Sequence, residues 1–137
     1  MNLKYLRTNA AAETEGVWLE FMGAQFKLAS AASPAYRAAL TKHGRKHSPH
    51  EIRRNTELGD TINREAMADA ILLDWKGDVN DGDEALEAAN REHRIRLLQV
   101  RPFAEWVASE CQNIANFQTE GREDLESDLK SRRPLDA

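Results

Sequence analysis

Three groups of residues in this chain carry chemistry by type: the oxygen-rich turn Asp78, Asn80, Asp81 and Asp83 around Gly82, the histidines His43, His47 and His50, and the single thiol Cys111. Clustered oxygens on a turn are what calcium requires. With Gly82 at the sixth position of a calcium loop, however, the first and third ligands would be Gly77 and Val79, and the twelfth-position glutamate would be Ala88. A capped turn without metal is the expectation. The histidines are spaced by four and three, which one helix would gather on a face, but Gly44 and Pro49 interrupt that helix and no cysteine stands nearby to complete a zinc set. They read as part of a solvated basic loop. A nucleophilic cysteine needs a base beside it, and Cys111 falls on the apolar side of a helix, where thiols pack and stay inert. His93 also falls on an apolar helix face and reads as a partly buried packing residue. No glycine-rich phosphate loop, serine elbow or catalytic carboxylate pair occurs in the sequence. The expectation is a protein that is not an enzyme, with no cofactor and no metal.

The elements that would position these groups are organised around residues 66–82. Ile62, Ala66, Ala70 and Leu73 follow one helix face, and Met67, Ile71 and Trp75 an adjacent stripe. A long helix is therefore expected to begin at Glu51 or Asn55 and to run to Trp75, apolar around most of its last two turns. Gly77 would cap it, and Asn80-Asp81-Gly82 would turn the chain. Upstream, Val17, Leu19 and Phe21 alternate with Trp18 and Glu20, Met22-Gly23-Ala24 interrupts, and Phe26 and Leu28 alternate with Gln25 and Lys27, which is the pattern of a β-hairpin. Trp18 lies on its outer face, either as a contact site or partly covered by residues 1–15, which read as an N-terminal arm or an added strand. Ser33-Pro34 starts a first helix whose narrow apolar face holds Tyr36, Ala39, Leu40 and His43. Asp83 would cap a third helix, with Leu86, Ala89, His93, Leu97 and Val100 inward and the pairs Glu87–Arg91 and Glu92–Arg96 outside. Pro102 starts a fourth, with Phe103, Trp106, Val107, Cys111, Ile114 and Phe117 on one side. The expected fold is α+β, mainly α, an N-terminal β-hairpin packed on about four helices. Residues 16–120 would form one globular domain between the arm and a charged C-terminal tail, residues 121–137, in which Leu125 and Leu129 are spaced by one helical turn.

A chain of 137 residues, 41% hydrophobic and 31% charged, has the composition of an ordinary soluble domain with one core. The net charge of -4 speaks against a protein that blankets nucleic acid, and no membrane-spanning run is present. The charge is uneven. Residues 42–54 hold Lys42, Arg45, Lys46, Arg53 and Arg54 against Glu51 alone, whereas residues 74–92 hold seven acids against Lys76 and Arg91. One cysteine excludes an internal disulfide, and with no N-terminal apolar signal the expected compartment is a reducing cytoplasm.

A hairpin ending FKLAS, then SPAYRAAL, AILLDWKG, an Asn-Asp-Gly turn and PFAEWVASECQNIANF follow one another over residues 16–117, and in this order they resemble the tail assembly chaperones of long-tailed bacteriophages. Leu72 to Gly77 is the most specific of these stretches. The resemblance implies a small protein of the host bacterial cytoplasm that coats the tape measure protein, keeps it soluble, recruits tail tube subunits and leaves before the virion is finished. Such a chaperone binds a long helix through apolar or aromatic patches flanked by charge. Trp18, Trp106, Leu125 and Leu129 are the candidates, and self-association is compatible with the same role. Two other readings stand beside it: a structural tail or head-tail connector protein, and a small nucleic-acid-binding regulator using the basic stretch Lys42 to Arg54.

Overall fold

The computed structural model describes residues 1–118, and the candidates Leu125 and Leu129 and the charged tail lie outside them. The hairpin forms as its alternation predicts, β1 (Val17–Phe21) antiparallel to β2 (Ala24–Leu28). Its two-residue turn places Met22 at φ 49° and Gly23 at φ 83°, the mirror-image turn whose twist matches that of the flanking strands. Val17, Leu19 and Phe21 sit opposite Leu28, Phe26 and Ala24, so these six share the inner face. The helices bury its β2 residues and cover its β1 residues in part.

The segment before the hairpin is not an added strand. Leu3–Tyr5 is a 3-10 turn and α1 (Ala10–Glu15) a short helix capped by Asn9, whose side chain accepts from Ala11 N and Ala12 N. Backbone bonds tie it to the rest, from Asn9 N to Phe117 O at 2.7 Å and from Ser30 N to Glu13 O at 2.9 Å. α2 (Pro34–Gly44) begins at the Ser33 cap, with Ser33 Oγ accepting from Tyr36 N at 3.3 Å. The basic stretch is not wholly a loop, because Pro49 takes the first turn of α3 (Pro49–Arg54) under the Ser48 cap, a position where a missing N–H breaks no bond. α4 (Thr56–Ala70) starts at Asn55, one of the two expected places.

The main correction is at its other end. The helix stops at Ala70, and Leu72–Lys76 is a strand, β3, antiparallel to β2, completing a three-stranded sheet in the order β1-β2-β3. Leu72 and Trp75 point inward opposite Leu28 and Phe26, and a bulge at Leu73 reconciles two inward residues three apart. A short apolar run satisfies either period, and here the free edge of β2 decides between them. The second correction follows directly. Asp83 caps no helix. Asn80–Asp81 (β4) pairs with Glu84–Ala85 (β5) across a turn at Gly82, and α5 (Arg91–Leu98) begins later, under the Asn90 side chain. α6 (Arg101–Gln112) contains Pro102 in its first turn as expected but ends before Ile114, which lies exposed in a 3-10 turn (Ile114–Phe117). The chain is α+β, mainly α.

The core runs from Phe26, Leu28, Leu72 and Trp75 of the sheet to Met67 and Ala68 of α4, Leu98 of α5, and Phe103, Val107 and Cys111 of α6. The other side of α4 is made of alanines, Ala66 and Ala70, which pack with Ala39 of α2. Small residues there let the two helices approach closely, and Tyr36 Oη donates to Asn63 Oδ1 across the same interface.

Candidate functional site

Four surfaces have the composition of a site. The first is aromatic. Phe103 and Trp106 lie one helical turn apart on α6 and meet the two hairpin phenylalanines, with centroids 4.9 Å apart for Phe21–Trp106 and 4.9 Å for Phe26–Phe103. Trp106 is thus half-buried in a cluster, while Met22 at the hairpin tip, next to Phe21 in sequence, is 90% exposed. Trp18 is on the opposite face of the sheet. Its ring lies under the Lys76 ammonium, 4.1 Å from the centroid, so it is engaged by a cation of β3. The two tryptophans singled out from the sequence are therefore on different faces and form no common patch.

The second surface is an open groove of about 500 Å³ bounded by α4, the end of α5 and α6. Met67, Leu98, Ala104 and Ala108 supply its apolar lining, and Asp60, Arg64, Arg101 and Glu105 its charged rim. Arg101 and Glu105 pair with each other along α6, Nε to Oε1, at 2.9 Å. This groove was not legible in the sequence, since its walls come from three helices. The signal present in the sequence was small residues, Ala104 and Ala108, at a four-residue spacing.

The third is an ionic network around His43, which is buried between α2 and α4. Nε2 is 2.6 Å from Asp69 Oδ2, and Nδ1 lies 3.2 Å from Glu65 Oε2 and 3.3 Å from Lys46 Nζ. Arg91 at the start of α5 donates from Nε to Asp69 Oδ1 at 2.6 Å, so Arg91 serves this carboxylate and not the expected Glu87. Burial works to raise the Asp69 carboxyl. Hydrogen bonds from Arg91 and His43 outweigh it and hold the group below the ordinary carboxylate range. The three histidines do not share a site: His43 bonds to α4, His47 lies 3.6 Å from Glu51, and His50 stands exposed on α3. Among the described residues no three His, Cys, Asp or Glu side chains converge as a metal would need. At the acidic turn, Arg96 takes the place a cation would have, bonded to Glu84 and 3.5 Å from Asp81, and its expected bridge to Glu92 forms at 3.7 Å.

The fourth is basic. Arg37, Lys42 and Arg45 line a shallow depression along α2 with Ala38 and Thr41, and no carboxylate is among its walls. Two further groups singled out from the sequence are packing residues. Cys111 is buried, burial pushes its thiol up to about 11, and Sγ lies 3.5 Å from the Ala108 carbonyl. His93 is buried with Nδ1 accepting from Glu87 N at 2.9 Å.

Neither a curated protein nor a solved structure matches this chain. Residues 31–127 match the family model described as the YdaY prophage protein. Because that match spans well over half of its length, from before α2 to beyond α6, the chain belongs to the YdaY prophage protein family and is phage-derived.

Proposed function

We propose that this phage-derived protein is a tail assembly chaperone, which binds the tape measure protein, keeps it soluble in the host cytoplasm, helps recruit tail tube subunits, and is absent from the finished virion. The observation that carries this reading is the groove between α4 and α6, whose apolar lining and charged rim suit one face of an amphipathic helix. Its exposed apolar area is small, so a single groove binds weakly and many copies along one long helical partner are needed for a stable complex. The resemblance of residues 16–117 to tail assembly chaperones and the phage origin support the same reading. Binding, with no chemistry, is the activity proposed.

Co-expression with the tape measure protein of the same genome tests it. The partner is expected in the soluble fraction with this chain and in the pellet without it. Ala104→Glu, which introduces a charge into the groove on an already amphipathic helix, should return the partner to the pellet while the chaperone stays folded. No gain in solubility with the wild-type chain would refute the proposal. The carboxylate-free basic depression on α2 favours a second reading, a nucleic-acid-binding regulator. Retention on DNA that weakens steeply with salt would support it, since phosphate contacts release counterions.

A further inference from the structure

β1 is an edge of the sheet, and among the described residues it pairs with β2 alone. Phe21 and Ala24 close a two-residue turn and are a hydrogen-bonded pair, so Leu19 and Val17 also direct their backbone groups toward β2. The N–H and C=O of Trp18 and Glu20 consequently point away from the sheet. The other edge, β3, carries devices that discourage pairing: a bulge at Leu73 and the charges Asp74 and Lys76. β1 has no proline, no lysine and no bulge, and Glu20 is its one charge. Its inner face is also incompletely covered. Ala24, Phe26 and Leu28 on β2 are buried, but Val17, Leu19 and Phe21 beside them are only partly so.

We infer that a second copy of this chain pairs with β1 through its own β1, antiparallel about a two-fold axis, joining two three-stranded sheets into one of six strands. The sequence of the strand selects both the partner and the register. Setting Leu19 opposite Leu19 of the second copy places Val17 opposite Phe21 on the inner face and Trp18 opposite Glu20 on the outer, all within Val17–Phe21. In that register the outward groups of Trp18 and Glu20 bond reciprocally. A shift of two residues one way sets Glu20 against Glu20, like charges directly opposite. A shift the other way brings Gly16, at φ 89°, into the ladder, where its backbone is not extended. The aligned register keeps both strands complete, and it extends the apolar row formed by Val17, Leu19 and Phe21 across the junction. The Trp18 ring leans over the sheet to Lys76 of β3, which leaves the edge backbone clear for this contact.

The test uses the full chain. Sedimentation over a concentration series should show a monomer–dimer equilibrium. Glu20→Pro, which removes an N–H that no partner among the described residues uses, should abolish the dimer while the circular dichroism spectrum stays that of the folded chain, and Glu20→Thr should retain it. Leu19→Cys should form an intermolecular disulfide under mild oxidation, because residues facing each other on the axis in a non-hydrogen-bonded pair are within disulfide reach. Val17→Cys should not, since its two copies would be roughly 14 Å apart along the strands. The buried Cys111 leaves the wild-type chain uncrosslinked. Equal crosslinking of both variants, a dimer unaffected by Glu20→Pro, or a chain that stays monomeric at all concentrations would each overturn the inference. The last result would leave the edge to residues 119–137 of the same chain or to a strand from another protein.

Discussion

Trp75 joins burial to a specific bond. It is 8% exposed, its ring lies 6.1 Å from that of Phe26, and its indole Nε1 donates to Leu86 O at 3.1 Å, which ties β3 to the chain leaving the β4–β5 ribbon. Trp75→Ala is expected to cost about 3–5 kcal/mol by denaturant titration, because an aromatic side chain is lost and the cavity only partly relaxes. Trp75→Phe should cost less, its main loss being the donor to Leu86 O, about 1–3 kcal/mol. An unchanged midpoint for the alanine variant would place the residue outside the core. Asp69 makes the clearest pH prediction. Its folded-state carboxyl is held below the unfolded value, so the native state favours the ionised form. That contribution is present above the unfolded pKa of about 3.9 and is lost as pH falls through the lower folded value. Asp69→Asn should therefore be less stable than the parent at pH 7, and the gap should narrow as the pH is lowered below 4. A gap that is constant with pH would show that the bonds to Arg91 and His43 do not depend on the charge of Asp69. At this scale Cys111 and His93 were legible as packing residues from their helical faces alone, whereas the Asp69–Arg91 pair, 22 residues apart in sequence, was not.

Among the elements, those with a local signal were legible: the hairpin from its alternation, α2 from Ser33-Pro34, α6 from Pro102, and the start of α4 as one of two places, Glu51 or Asn55, of which Asn55 is the cap. Those settled by a distant partner were not. Leu72–Lys76 carries apolar residues that fit a helix stripe, and it became a strand because β2 offered it an edge to pair with. Two glycines separate local from tertiary constraint in a way that can be measured. Gly23 has φ 83° but a Cβ there would meet open space, so Gly23→Ala should cost about 1–2 kcal/mol, the backbone penalty alone. Gly16 has φ 89°, and a Cβ there would stand 3.0 Å from the Leu28 carbonyl oxygen and 3.1 Å from Leu73 Cδ1. Gly16→Ala adds that clash to a backbone conformation, φ 89° and ψ 166°, that is open essentially to glycine alone, and should be distinctly the more destabilising of the two. Equal melting temperatures for the two variants would mean that α1 can shift away from β2 at little cost.

The whole molecule is a small sheet under helices, with an open groove on its helical side and, among the described residues, an edge at β1 that pairs only with β2. Among the described residues Arg96 engages the acidic turn, Asp69 and Glu65 engage His43, and no three His, Cys, Asp or Glu side chains converge as a metal would need. Calcium, zinc or a chelator should therefore leave the melting temperature unchanged, because a ligand of the native state must raise it. A rise of several degrees with either ion would identify a site built by other residues. What the sequence determined by itself was whatever depends on near neighbours: the alternating hairpin, the helix starts at Ser33 and Pro102, and the apolar faces of α2 and α6. What only the tertiary structure decided depends on groups distant in sequence meeting in space. A short apolar run has no intrinsic preference strong enough to choose between helix and strand, so β3 waited for β2. A carboxylate pairs with whichever cation the fold brings near, so Arg91 reached Asp69 across two elements. A groove exists only once three helices have packed, and an edge strand is exposed only once the other edge and the faces have been filled.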